Sequence, residues 1–157
     1  MAIINLRVNG KVHEIDADPG MPLIFALRNQ LGLVGAKLGC GLEQCGTCAV
    51  LVDGDPVLSC VRGISEFEEN DIVTIEGLVV DGTPSDIQQA FMDEGAAQCG
   101  YCTAGIVIAT TALLRHNKRP SKVDIAEALK DHLCRCGSHA RVFAAIALVT
   151  GESVHNG

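Results

Sequence analysis

The sequence predicts an α+β protein, with a small mixed sheet and one helix over residues 1–77, followed by four short helices over residues 78–157. Two observations predict this order. Alternating apolar residues flank an Asn-Gly pair at residues 9–10 and an Asp-Gly pair at residues 53–54, and both patterns are typical of β-hairpins. After a Gly/Pro turn at residues 81–84, the apolar residues recur with helical spacing. We therefore predict two domains that meet near residue 77.

The first domain is predicted to contain two hairpins, a helix and a short further strand. The strands are expected at residues 3–8, 11–15, 49–52, 56–60 and 72–75. Pro22 opens a helical pattern that runs to Leu31, since proline is favoured in the first turn of a helix. The glycine-rich segment at residues 39–46 has no regular period, so we expect a loop there.

The second domain is predicted to be a helical bundle. Its helices are expected at residues 84–95, 103–116, 121–132 and 139–150. The second of these is apolar almost all round, which indicates a buried helix. Thr83 or Ser85 is a candidate N-cap for the first helix, and Ser121 with Asp124 forms a weak capping box for the third.

Composition excludes some classes of function. The chain has 157 residues and a formal net charge of −7, whereas binding to nucleic acid needs a basic face. Its residues are 48% hydrophobic but only 3% aromatic, so we expect a small core that depends on a metal site or a partner. No signal peptide or membrane-spanning run is visible, which favours the cytoplasm. Export together with a signal-bearing partner would instead give a periplasmic protein.

The eight cysteines divide into two groups of four. The first cysteine group is spaced C-x4-C-x2-C with one later member, and comprises Cys40, Cys45, Cys48 and Cys60. This is the spacing of plant-type 2Fe–2S ferredoxins, in which four thiolates hold two irons. Zinc also binds four cysteines, but its ligands usually come as two C-x2-4-C pairs. Clustered cysteines in a reducing compartment are metal ligands more often than disulfides. Because a C-x4-C-x2-C run does not fit the usual zinc pattern, the spacing favours an iron–sulfur cluster.

The second cysteine group is less specific by spacing alone. It joins a C-x2-C pair to a C-x-C pair, and comprises Cys99, Cys102, Cys134 and Cys136. The pairs lie in two connections between predicted helices, so all four thiols should meet at one end of the bundle. A second 2Fe–2S cluster, a zinc site and a thioredoxin-like redox pair stay open. The redox pair leaves the C-x-C cysteines without a role and lacks its usual βαβ setting.

Other motifs do not indicate substrate chemistry in this chain. A Rieske centre needs two histidine ligands, and only His139 follows a cysteine of the group closely. His132 and His139 could instead tune the second cluster without binding it. No phosphate-binding loop, dinucleotide fingerprint or catalytic triad pattern is present. We therefore expect no catalytic residue here, and two redox centres in series would carry electrons between partners.

Four linked motifs carry a resemblance to a known family. They are GCGLEQCGTC at residues 39–48, SC at residues 59–60, QCGYCTAG at residues 98–105 and LCRCG at residues 133–137. In this order they resemble the small iron–sulfur subunits of the molybdenum hydroxylases, the xanthine dehydrogenase and aldehyde oxidoreductase group. The resemblance extends over nearly the whole chain.

The resemblance implies a fold, cofactors and a partner. The first domain would be a β-grasp ferredoxin fold and the second a four-helix bundle, each with one 2Fe–2S cluster. A separate large subunit would bind molybdopterin, often as the cytosine dinucleotide, and hydroxylate the substrate. Electrons would pass to the helical-domain cluster, then to the ferredoxin-like cluster and onward. Carried over to this sequence, Gln98 and Cys136 would contact the pterin.

The last motif departs from the common family pattern Cys-Arg-Cys-Thr-Gly-Tyr. It reads CRCGSH at residues 134–139, which is more similar to the isoquinoline 1-oxidoreductase and nicotinate dehydrogenase branch. That branch implies an N-heterocyclic substrate and, for several members, an acceptor that is cytochrome c in place of a flavin subunit. Aldehyde- or xanthine-type substrates stay open. A free ferredoxin-like carrier and a zinc-stabilised interaction module are the competing hypotheses.

Overall fold

A computed structural model describes residues 1–151 of the chain as a mixed sheet with helices on and beyond it. The five strands of the sheet are β1 (Ala2–Val8), β2 (Lys11–Ala17), β3 (Ala49–Val52), β4 (Asp55–Leu58) and β5 (Asp71–Val73). Their order in the sheet is β2-β1-β5-β3-β4. Both predicted hairpins are present, and β5 joins them by pairing parallel to β1 and antiparallel to β3. The α+β fold class is therefore confirmed.

The first hairpin turn also fixes the end of β5. Asn9 and Gly10 have φ angles of 51° and 77°, the left-handed conformation that two-residue hairpin turns require. The Asn9 side chain accepts a hydrogen bond from the Thr74 N–H at 2.9 Å and donates one to the Thr74 hydroxyl at 3.0 Å. Thr74 is buried, so Asn9 provides partners for two polar groups that water cannot reach.

Replacing Asn9 with alanine is expected to lower the free energy of unfolding by about 1–3 kcal/mol, because two buried groups of Thr74 lose their partners. Alanine also tolerates the positive φ less well than asparagine. Chemical denaturation of the cofactor-loaded protein measures the loss. Asn5→Ala, at an exposed position of β1, is the matched control and should change stability by less than about 0.5 kcal/mol. Equal effects of the two substitutions would contradict this role of Asn9.

The helical segments follow the predicted order. They are α1 (Leu23–Phe25), which continues as a π-helical turn over Ala26–Gln30, α2 (Asp86–Asp93), α3 (Thr103–His116), α4 (Lys122–Ala128) and α5 (His139–Thr150). Short 3-10 turns lie at Ile64–Phe67 and Ile75–Leu78. Ser85 caps α2 and Ser121 caps α4 through their hydroxyls. None of the helices in the described part of the chain is long and apolar enough to cross a bilayer.

The third predicted helix is shorter than expected. The sequence pattern predicts that it reaches His132, but it ends at Ala128, and the following residues form turns. The helix ends early because the chain beyond it bonds to another segment. The Leu133 N–H binds the carbonyl oxygen of Cys45, in the first cysteine group, at 3.1 Å. Residues 152–157, which end the predicted second domain, lie outside the described residues.

Helix α3 lies along the β3–β4 hairpin. Near its start, a Cβ added to Gly105 would overlap the Gly46 carbonyl oxygen, so the two backbones are in direct contact. At its end, His116 Nε2 lies 2.9 Å from Asp55 Oδ1. Ile108, one turn beyond Gly105, is fully buried on the same face. One cluster of buried apolar side chains accordingly includes residues of β3 and α3, so the sheet and the helices share a core.

Candidate metal centres

The first cysteine group lies in the loop before β3 and just after β4. Its thiols form two pairs within hydrogen-bond reach, Cys40 with Cys45 and Cys48 with Cys60. Cys40 is exposed and Cys45 is half-buried, whereas Cys48 and Cys60 are buried. One pair therefore faces the surface and the other faces the interior.

The loop directs backbone N–H groups at its sulfurs. Gly41, Glu43 and Gly46 have φ angles of 66°, 56° and 74°, which turn successive peptide groups inward. The Cys40 sulfur accepts from Gln44 N at 3.2 Å and from Leu42 N at 3.3 Å. These two N–H donors lower the pKa of Cys40 to about 7. The loop thus stabilises negative charge on sulfur, as a cluster with thiolate and sulfide ligands requires.

The inner pair has the opposite electrostatics. Burial, and then the neighbouring Cys60 thiol, raise the pKa of Cys48 to about 12. A buried thiol pair ionises only when a cation compensates its charge, and a coordinated metal does this outright. The pair therefore has the character of metal ligands and differs from solvent-exposed reactive thiols.

The second cysteine group joins two connections between helices. Its pairs are Cys99 with Cys136 and Cys102 with Cys134, so each pair takes one thiol from either connection. Burial, and then Cys134, raise the pKa of Cys102 to about 12. Burial opposes ionisation of Cys134, but hydrogen bonds from Ser138 and Cys102 outweigh it and lower the pKa of Cys134 to about 6. All four predicted residues are brought together at one end of the helical half.

The pairing distinguishes between the metals considered. Tetrahedral zinc needs four ligands around one point, whereas a 2Fe–2S cluster needs four thiolates divided between two irons. Two thiol pairs in each group fit the donor set of a two-iron cluster.

Two hydroxyl groups near the sulfurs were missed from the sequence. The Ser138 hydroxyl lies 3.1 Å from the Cys134 sulfur, and the Thr47 hydroxyl lies 3.3 Å from the Cys45 sulfur. Hydrogen bonds to ligand sulfurs raise the reduction potential of a cluster. The sequence does place Thr47 and Ser138 within two residues of cysteines. Only the folded loops show that their hydroxyls approach the sulfurs.

The two histidines expected near the second cluster lie close to backbone groups. His139 Nε2 lies 3.2 Å from the carbonyl oxygen of His132. His132 is 7% exposed, and its ring packs against Gly46 of the first cysteine group. Burial lowers the pKa of His132, with the Asp131 charge opposing. His132 thus contacts the loop of the first cysteine group, and an influence of His132 and His139 on the second cluster stays a prediction.

The two residues predicted to contact the pterin lie side by side. The Gln98 amide Nε2 donates to the Cys136 carbonyl oxygen at 3.1 Å, although the residues are far apart in sequence. Gln98 and the adjacent Cys99 are exposed. The structure therefore presents both residues at an accessible edge of the second cysteine group.

Two hydrogen bonds join the loops of the two cysteine groups. Leu133, which precedes Cys134, donates its N–H to the Cys45 carbonyl oxygen at 3.1 Å. The Tyr101 hydroxyl donates to the Leu38 carbonyl oxygen at 2.6 Å. A single hydrogen bond thus links Cys45 to the residue that precedes Cys134.

Comparison with known proteins agrees with this geometry. Residues 6–74 match the family described as 2Fe-2S iron-sulfur cluster binding domain, and residues 74–147 match the [2Fe-2S] binding domain family. These two matches and the paired thiols place the chain among proteins with two 2Fe–2S-binding domains.

Individual relatives define the family more closely. A nicotinate dehydrogenase chain of Pseudomonas putida is 45% identical over 143 residues, which are 91% of either chain. The nicotinate dehydrogenase small FeS subunit of Eubacterium barkeri is 41% identical with the same coverage. A chain of the quinoline 2-oxidoreductase structure from Pseudomonas putida 86 superposes with a TM-score of 0.90 at 35% identity, covering 96% of this chain and 94% of that one. The chain belongs to the small iron–sulfur subunits of the molybdenum hydroxylases.

Proposed function

We propose that this chain carries electrons from a molybdopterin site on a large partner subunit, through two 2Fe–2S clusters, to an external acceptor. The observation that carries the proposal is the contact between the loops of the two cysteine groups, where the Leu133 N–H donates to the Cys45 carbonyl oxygen. The eight cysteines would hold the clusters, which supply reversible one-electron storage. The polypeptide orients them, donates hydrogen bonds to their ligand sulfurs and covers the inner thiols.

The proposed direction of electron flow is the one that the family resemblance implies, and the exposed thiols Cys40 and Cys99 give each group an accessible end. Gln98 and Cys136 would contact the pterin, because an amide and a backbone carbonyl can bond its polar edge. Electrons would enter at the second cysteine group and leave from the first, where Cys40 is exposed. Leu42 and Leu133 are 67% and 61% exposed beside these loops, as expected for surface that a partner subunit covers.

The finer assignments rest on the family resemblance, and the relatives bear on the substrate alone. We assign residues 1–77 to a β-grasp ferredoxin-like domain and residues 78–157 to a four-helix bundle. The nicotinate and quinoline relatives favour an N-heterocyclic substrate for the complex, with aldehyde- or xanthine-type substrates as the alternative. The partner would carry molybdopterin as the cytosine dinucleotide. The acceptor would be cytochrome c or a flavin subunit, and the complex would be cytoplasmic, or periplasmic after export with a signal-bearing partner.

Metal analysis and electron paramagnetic resonance of the reduced native complex test this function. Two 2Fe–2S clusters contain four irons, so we expect four irons per chain and two distinct signals. Molybdenum should be found on a large subunit that purifies together with the chain. A preparation with two irons, one signal and no molybdenum would support a free ferredoxin instead, and a colourless zinc protein would exclude both.

Replacing Gln98 with alanine is expected to slow reduction of the second cluster by substrate while leaving iron content and both resonance signals unchanged. The amide would no longer orient the pterin edge beside Cys136. Rapid mixing with substrate under anaerobic conditions measures the rate. Gln89→Ala, which removes an exposed amide bonded to Asp93 on α2, is the matched control and should reduce at the normal rate. Identical rates in both variants would remove Gln98 from the pathway.

A further inference from the structure

Gly46 is enclosed by segments that carry ligands of the other cysteine group. A Cβ at Gly46 would overlap His132 Nδ1 and would lie 2.8 Å from the Asp131 carbonyl oxygen. On its other side, a Cβ at Gly105 would overlap the Gly46 carbonyl oxygen. Gly46 follows ligand Cys45 directly, so three ligand-bearing segments meet at this one residue without space for a methyl group.

The His132 side chain fills this junction without a hydrogen bond of its own. The ring is 7% exposed, and its Nδ1 is buried with no hydrogen-bond partner among the described residues. Burying an unpaired nitrogen is unfavourable, so hydrogen bonding does not account for the position of the His132 ring. Two contacts hold the backbone of His132. Its N–H binds the Leu129 carbonyl, and its carbonyl oxygen lies 3.2 Å from His139 Nε2. Because these contacts fix the backbone of His132, its ring stays in contact with Gly46.

We propose that His132 is a positioning residue for electron transfer between the two clusters, its ring fixing the separation of the two ligand loops beside Gly46. The inference rests on the proposed function, because it requires two clusters. The hydrogen bond from Leu133 to Cys45 lies next to the ring and depends on the same separation. Electron tunnelling between two centres falls steeply with distance, so a small loop displacement changes the transfer rate.

The test uses the complete complex with His132→Ala and His132→Leu. The interaction of two reduced clusters splits their resonance signals, and the splitting falls with the cube of their separation. In H132A the empty space beside Gly46 leaves the loop separation unfixed, so we expect normal iron content, a broadened splitting and a fraction of first clusters whose reduction by substrate lags behind the second. Leucine restores volume without a nitrogen, so H132L should recover both the splitting and the rate. Unchanged splitting and rate in H132A, or an H132L variant as slow as H132A, would overturn the proposal.

A second variant approaches Gly46 from the opposite side. Gly105→Ala places a methyl group against the Gly46 carbonyl, so it should move the first loop away from α3 and reduce the splitting. Reduction of the first cluster by substrate should again lag behind that of the second. This variant tests the proposal if H132A loses iron. Gly20→Ala is the matched control, since its Cβ would meet only Asp18 Oδ1 at 3.4 Å. Normal transfer in G105A would contradict the proposal. A single cluster signal in the unaltered complex would instead refute the proposed function.

Discussion

Replacing Cys136 with serine is expected to abolish electron transfer from the large subunit to the physiological acceptor. Cys136 pairs with the Cys99 thiol, and its carbonyl oxygen accepts the Gln98 amide, so it links the cluster ligands to the predicted pterin contact. Changes outside the ligands of a metal site already cost about 10–100-fold in activity, so loss of a ligand should reduce turnover by at least about 100-fold. Steady-state turnover with the natural acceptor measures this.

Cys40→Ser provides the matched comparison because it removes a ligand at the other end of the pathway. In C136S, the first cluster should stay oxidised with substrate but accept electrons from an added chemical reductant. In C40S, substrate should still reduce the second cluster, and the electrons should fail to leave. Resonance spectra of each variant, with substrate and with chemical reductant, distinguish the two. The opposite pattern would reverse the proposed direction, and normal turnover of C136S would exclude the pathway.

Replacing Ile108 with alanine is expected to lower the free energy of unfolding by about 2–5 kcal/mol. The side chain is fully buried on the face of α3 that lies along the β3–β4 hairpin, so the substitution leaves a cavity between sheet and helices. Because the two halves share this core, both should lose structure in one transition. Val123→Ala on α4, where the valine is 76% exposed, should change stability by less than about 0.5 kcal/mol.

Two probes follow that unfolding separately. Visible absorbance reports the clusters, and far-ultraviolet circular dichroism reports mainly the helices. Coincident transitions in the wild type, both moved to lower denaturant in I108A, are the expected result. Separate transitions would show that the sheet and the helices unfold as independent units, which would contradict a shared core.

Local signals in the sequence predicted most of the fold. The hairpin turn at residues 9–10 needs only its own positive φ angles, and the predicted bounds of α3 are those it has, because its apolar pattern is continuous. The end of α4 could not be predicted in this way. Residues 129–132 continue a helical pattern, but the next N–H binds the carbonyl of Cys45, a contact distant in sequence. Tertiary hydrogen bonding outweighed helix propensity there.

The candidate site, like the fold, could be predicted from local signals only in part. Spacing alone selected both groups of cysteines, because each group lies in short motifs. Spacing could not predict that Cys99 pairs with Cys136, since that depends on how two connections between helices approach each other. The position of His132 against Gly46 was equally inaccessible, because a close approach between distant segments leaves only a glycine as its sequence signal.

The uneven burial of the thiols has a consequence for biosynthesis. Cys40 and Cys99 are exposed, whereas Cys48, Cys60 and Cys102 are covered by the folded chain. Before its clusters are inserted, the chain therefore presents one unprotected thiol from each group to oxidants, and oxidation of cysteine follows exposure. Oxidation of either thiol removes a ligand that the buried cysteines cannot replace. Newly made chains would therefore be sensitive to oxidants until iron and sulfide are bound, and oxidation of Cys40 or Cys99 to the sulfinic or sulfonic level would be irreversible.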